Sequence, residues 1–217
     1  MFRTLAKHGL LPLLTVLVVL GLSAQPAQAL FEQTPHSASY RGMGETGVAV
    51  FDPAYAAFQN PAQLAEVARG AAAISYVQPF GYDFNQFVTI GGALPIDAKY
   101  GNLGFGLTNY TVDYQDVDLL KETRFTVAHG VTLFEDMHST IRFGYGLNLY
   151  RAELGETVTG DDPGSDTALG VDLGMMMTLR QRTHLGFRVE NLKNPDIGVD
   201  NEELGRRLIA GIAYEPY

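Results

Sequence analysis

Gly42, Gly44 and Gly47 stand in the order G-x-G-x-x-G, the spacing by which a tight turn presses backbone amides against a dinucleotide pyrophosphate. That chemistry needs a strand before the glycines and a helix opening on them. Here Val48, Ala49, Val50 and Phe51 form a β-prone run, and Pro53 stops any helix within two turns. No strand–helix–strand alternation follows, so nucleotide binding is not expected. His8, His36, His129, His138 and His184 share no metal-binding spacing, no G-x-S-x-G elbow occurs, and Cys is absent. Asp161, Asp162 and Asp166 lack the residue order of a calcium loop and read as a solvated acidic connection, with loose divalent-cation binding as the alternative. The expectation is a protein that is not an enzyme, with no cofactor and no metal.

The remaining chemistry lies in charges on strands. Arg142, Asp172, Arg188 and Glu190, with Asn148 as a polar neighbour, fall opposite apolar stripes and so face the interior of a curled sheet. An ionisable group there costs energy unless paired or hydrated. The set is read as a salt-bridge network filling a narrow interior, or as the lining of a polar path if the interior is wide.

The elements that must position these groups alternate with period two. In "DTALGVDLGMMMTLR", Leu169, Val171, Leu173, Met175, Met177 and Leu179 share one face, opposite Ala168, Gly170, Asp172, Gly174, Met176 and Thr178. Such a stripe covers about 11 positions, the length with which a tilted strand crosses hydrocarbon. "STIRFGYGLNLYRA" repeats the pattern with Ile141, Phe143, Tyr145, Leu147 and Leu149. "RFTVAHGVTLF", "NLGFGLTNY", "THLGFRVENL" and "RRLIAGIAYEPY" follow it, and two strands near 71–79 and 84–94 alternate less cleanly. The fold class expected is all-β: an antiparallel transmembrane β-barrel of about eight strands over 70–217, complete or part of a larger barrel. Connections at 112–121, 152–165 and 193–204 read as long, 95–101 as moderate and those at 80–83, 135–138 and 180–182 as short; from the third strand onward long and short alternate, which by parity puts the long acidic ones outside the cell. A soluble secreted β-sandwich is the competing architecture.

Residues 1–29 read as a secretory signal peptide. Arg3 and Lys7 are its positive region, Leu10 to Leu22 its apolar run, and Ala27-Gln28-Ala29 a small-x-small cleavage site. With 15 basic against 24 acidic side chains and no basic patch, nucleic acid is not an expected partner. Residues 30–69 stand apart from the strands. In "NPAQLAEVAR", Asn60 can cap and Pro61 can start a short helix with Leu64 and Val67 on one side, giving a hatch segment folded against or into the barrel.

"SASYRGMGETGVAVFDPAYAAFQNPAQLAEV" resembles the N-terminal signature of the PorV/PorQ group of outer-membrane proteins, related to FadL-type transporters. Arg41, Met43, Gly44, Gly47, Val48, Ala49, Asp52, Ala56, Asn60, Pro61, Ala62 and Leu64 carry the match. Glu45 for a second Gly, Phe51-Asp52-Pro53 for paired acids and Gln63 for a Gly are departures. "LGFRVENLKNPDIGVDNEELGRRLIAGIAYEPY" is similar to a later hairpin of that group. The resemblance implies an outer-membrane barrel with a lumen plug, and family barrels have more strands than are found here. Tyr217 stands where barrel assembly reads a terminal aromatic, although Pro216 beside it fits that signal poorly.

These readings converge on an outer-membrane channel or transporter of FadL/PorV type for hydrophobic or small solutes. Phe51, Tyr55 and Phe58 are the candidate hydrophobic-ligand contacts, and Gly42, Gly44, Gly47, Asp52, Asn60 and Pro61 form the hatch motif, its glycines letting chain pass close to the wall. The alternative is a docking or shuttle component of a type IX-like secretion system. Outer-membrane lipid and either a solute or a secreted protein are the expected partners.

Overall fold

The computed structural model describes residues 30–31, 37–44, 46–97, 99–115, 117–155, 164–198 and 202–216. The leader at 1–29, His36, Glu45, Asp161, Asp162 and Tyr217 lie outside them. Eight strands form one antiparallel meander: β1 (Ala71–Val77), β2 (Asn85–Asp97), β3 (Gly101–Tyr114), β4 (Val117–Glu135), β5 (Ser139–Leu154), β6 (Ser165–Leu179), β7 (Thr183–Glu190) and β10 (Arg207–Tyr214). A two-residue pair, β8 (Asp196–Ile197) with β9 (Glu202–Glu203), sits inside the connection between β7 and β10. No described helix is long and apolar enough to cross a membrane.

The sheet curls into a half-barrel and stays open. Among the described residues β1 pairs only with β2 and β10 only with β7, so the eight strands do not close as a small barrel. Period-two alternation sorts the two faces as the sequence implies. Leu147, Leu149, Leu169, Phe187, Leu208 and Ile212 are exposed on the convex side, whereas Asn148, Tyr150, Ala168, Asp172 and Arg188 are buried on the concave side. A bulge between Thr132 and Phe134 breaks the alternation at the end of β4 and leaves Leu133 and Phe134 both exposed.

The connection expected over 112–121 is mostly strand. Val112 pairs with Leu120 and Tyr114 with Val117 across a bulge, so β3 and β4 run on as a protruding hairpin. The reason is local: Val112, Tyr114, Val117, Leu119 and Leu120 suit a pleated ribbon, and only Gln115, at φ 54, turns the chain among the described residues there. The connections 155–164 and 191–206 remain the long ones on that rim, and those on the opposite rim are all tight.

The concave face is filled by the N-terminal segment. It comprises helices Ala38–Gly42 and Ala56–Gln59 and a 3-10 turn, Pro61–Glu66. Asn60 caps that turn by accepting the Ala62 N–H at 3.1 Å, and Pro61 starts it, as expected; Leu64 and Val67 are both buried. Asn102 on β3 donates to the carbonyls of Leu64 at 2.7 Å and Val67 at 2.9 Å and moors its end.

Candidate functional site

Close approach between this segment and the sheet depends on glycines of the wall. A Cβ on Gly91 would run into the Ala54 carbonyl, on Gly106 into the Phe58 ring, on Gly144 into Pro61, and on Gly186 into the Val48 carbonyl. On Gly130 it would meet the Pro61 oxygen and the Ala65 nitrogen. Strands β2, β4, β5 and β7 thus lack a side chain where the hatch backbone passes, and β3 lacks one beneath the Phe58 ring. Of the hatch glycines, Gly42 and Gly44 have nothing within 4 Å of such a Cβ, which corrects the expectation that they permit the approach. Gly44 is needed for its left-handed turn, φ +68, after the first helix. Gly47 is crowded by Gln59, whose Oε1 would stand 2.6 Å away.

Two buried amides lock the hatch. Asn60 Nδ2 donates to the Val48 carbonyl at 2.8 Å and reaches the Met175 carbonyl of β6 at 3.2 Å. Gln63 Nε2 donates to the Gly47 carbonyl at 2.8 Å. Tyr40 is fully buried and donates to the Val50 carbonyl at 3.0 Å; burial, and then the charge of Asp52, raises its phenol above the ordinary range. Asp52 itself accepts only a long bond from Ser39 Oγ at 3.4 Å among the contacts seen.

Above this lock lies the polar network. Arg188 Nη2 meets Asp172 Oδ2 at 2.7 Å and Glu190 Oε1 at 3.0 Å. Asn148 Oδ1 accepts from Arg124 Nη2 at 3.0 Å and from Thr126 Oγ1 at 2.8 Å. Arg124, absent from the expected set, is the centre: its Nη1 pairs with Glu190 at 3.2 Å and its Nη2 with Asp172 at 3.3 Å. Asp172 Oδ1 also accepts the Asn191 N–H at 3.0 Å, and Tyr150 donates to Asn191 Oδ1 at 2.9 Å. Buried charges joined this way brace the interior; with every carboxylate bound to a guanidinium they form no proton-transfer pair.

The structure brings Asn148, Asp172, Arg188 and Glu190 together and leaves Arg142 out. Arg142 bonds Thr178 Oγ1 at 2.9 Å and pairs with Glu66 of the hatch at 3.5 Å, towards the tight-turn rim. It lies on the correct face but too far along β5 to reach the others, with Gly144 and Gly146 between it and Asn148.

Phe51, Tyr55 and Phe58 do not line a common pocket. Tyr55 and Phe58 are 4 % and 1 % exposed and are consumed in packing, and only Phe51 reaches the surface. Phe58 faces the Arg124 guanidinium, 5.9 Å from ring centroid to Cζ, with Tyr150 at 5.3 Å as the second aromatic neighbour. A larger apolar recess of about 420 Å³ lies among Phe143, Met175, Phe187 and Leu208, and a second space lies at the seam between residues 46–50 and β10. It measures about 320 Å³ and is bordered by Gln59, Arg188, Arg207 and Gly211.

The chain matches no family model, no curated protein and no solved structure. Among the described residues no group of three His, Cys, Asp or Glu side chains could hold a metal ion. His129 lies on the convex face with Nε2 2.6 Å from the Tyr100 carbonyl, and His184 sits inside, near Thr178 and Glu215. Asp166 binds the Gly198 and Thr167 amides, at 2.8 and 2.7 Å, and thereby ties two connections together.

Proposed function

We propose that the protein is an outer-membrane β-barrel protein whose N-terminal hatch occludes the lumen and gates passage of a small solute along the seam beside β10. One observation carries this reading: a continuous apolar convex face backs a concave face made of glycine, buried amides and ion pairs. A soluble sheet hides its apolar face and exposes its polar one; here the order is reversed, as lipid requires. The strand lengths agree, since β3 to β6 run 14, 19, 16 and 15 residues, beyond the roughly 10 that cross hydrocarbon. Exposed Tyr82 and Tyr114 at one rim, with Tyr100 and Tyr214 at the other, suit interfacial anchoring.

Because Tyr55 and Phe58 are packed away, the seam favours a small polar or anionic solute near Arg207 over a hydrophobic one. The filled interior also favours the second reading, a barrel that serves as a docking component for a secreted protein. Proteoliposome uptake separates them. Under the gating reading, Asn60→Ala and Gln63→Ala, which unfasten the hatch, raise small-solute flux above wild type. Flux equal to that of empty vesicles in both variants would sink transport and leave docking.

A membrane setting has one structural demand. The outer edges of β1 and β10 must pair with strands beyond these eight, because unpaired backbone groups are not tolerated in hydrocarbon.

A further inference from the structure

The convex face sinks into the 420 Å³ recess between β5 and β10. Cross-strand pairing sets Phe143, Met175, Phe187 and Ala210 in one row across β5, β6, β7 and β10, and Leu173, Val189 and Leu208 in the next row towards the long-connection rim. Phe143, Leu173 and Val189 are half-buried, whereas Met175, Phe187 and Leu208 stand exposed around them. Arg188 also borders the recess, but its guanidinium is bound to Asp172 and Glu190 on the concave side. Hydrocarbon, aromatic rings and a thioether are what this hollow offers. Towards the rim the chemistry changes. Arg206 stands two residues beyond Leu208, about 7 Å along an extended chain, and both Arg206 and Lys193 are exposed. The Arg206 N–H donates to Asn194 Oδ1 at 3.0 Å, which brings the segments bearing the two cations together. Among the described residues neither cation enters an ion pair.

We propose that the recess and the two cations above it form a binding site for a phosphorylated membrane lipid, with one acyl chain in the recess and the phosphate held by Arg206 and Lys193. The proposal rests on the reading of the convex face as lipid-facing. An unbranched chain suits the hollow, because the flexible Met175 side chain and the two phenyl rings adapt to a narrow apolar guest. A guanidinium presents paired N–H groups to phosphate oxygens, and an ammonium adds a compact point charge. Free phosphate would leave the recess unfilled, and a lipid with no net charge would leave the cations without a counter-charge. A phosphorylated lipid satisfies both at once.

The chain has no Trp, so a single introduced one reports on its own surroundings. Phe187→Trp places that reporter at the recess, and Phe125→Trp places it on the same face of β4, outside the recess. The full protein in phosphatidylcholine vesicles is titrated with brominated phosphatidic acid or with brominated phosphatidylcholine, and quenching is read. At the recess, phosphatidic acid is expected to bind at least about fivefold more tightly than phosphatidylcholine, as basic side chains beside an anionic lipid allow. The preference should shrink at high salt and vanish when Lys193→Gln and Arg206→Gln are combined, while heat-modifiable migration persists. The Phe125→Trp reporter should show no preference. Should Phe187→Trp fail to fold, Leu208→Trp carries the same measurement from the neighbouring strand. Equal binding of the two lipids at the recess, or a preference unchanged in the double variant, would overturn the site and leave the membrane reading standing. Absence of quenching by either lipid at both reporters would overturn the membrane reading, and the site with it.

Discussion

Arg124 shows how far a single residue's role can be taken from parity. The alternation that turns Phe125 and Val127 outward turns Arg124 and Thr126 inward, so its place on the concave face is legible in the sequence. Its partners are not, because Asp172 and Glu190 lie 48 and 66 residues away. The network predicts an asymmetric response. Asp172→Asn removes one carboxylate from between two buried guanidinium groups, and breaking a buried pair on one side costs about 3–5 kcal/mol. Thermal unfolding, followed by loss of the heat-modifiable band, should show that loss. A stability unchanged from wild type would mean that the network is hydrated and not buried.

A gentler prediction concerns Asp136 in the turn between β4 and β5. Its Oδ1 accepts the amides of His138 and Ser139 at 2.7 and 2.6 Å, and those bonds, His138 first, hold its carboxyl below the usual range. A carboxylate whose pKa is lowered by folding stabilises the fold above its unfolded pKa and loses that contribution as pH falls through the folded one. Amide exchange at His138 and Ser139 should therefore accelerate on acidification below the ordinary Asp value of about 3.9. Asp136→Asn should flatten that dependence.

At the level of elements, the hatch and the wall are fitted to each other by deletion of side chains. Gly144→Val on β5 should unseat the hatch, since its Cβ already meets Pro61 backbone and two more carbons add to the clash. Limited proteolysis within residues 44–69 is expected to rise sharply in that variant. Gly42→Ala, with open space around it, should leave digestion unchanged. Gly44→Val belongs to a third case: space is free, but φ +68 strains a β-branched residue, so the turn after the first helix is disturbed and the distant wall is not. The three variants distinguish close approach from backbone strain, which the spacing G-x-G-x-x-G alone does not. The 3-10 turn was legible because Asn-Pro is a local start signal. The run-on hairpin of β3 and β4 was masked, since Asp113, Gln115, Asp116 and Asp118 make "VDYQDVDLLK" read as a loop although its Val, Tyr and Leu residues suit strand.

The whole molecule is an open curl whose convex surface is apolar and whose concave surface is spent on its own N-terminus. The membrane reading predicts that the mature protein partitions into detergent and migrates faster before boiling than after. A chain that stays in the aqueous phase without detergent would defeat it. It also predicts that strands outside this sheet lie against β1 and β10. Cysteine pairs placed on those edges should cross-link to a segment or subunit beyond the eight strands, and not β1 to β10 within one sheet.

The sequence by itself determined strand identity, facing and the local start of the hatch, because each depends on neighbours two to four residues apart. It did not determine which glycines matter, which charges meet, or whether the sheet closes. Those depend on residues brought together across strands, on the path of the N-terminal segment over the concave wall, and on curvature accumulated through eight strands. Only the tertiary structure decided that the glycines of the wall accommodate the hatch, that Arg124 joins Asp172 and Glu190, and that Tyr55 and Phe58 are packing residues.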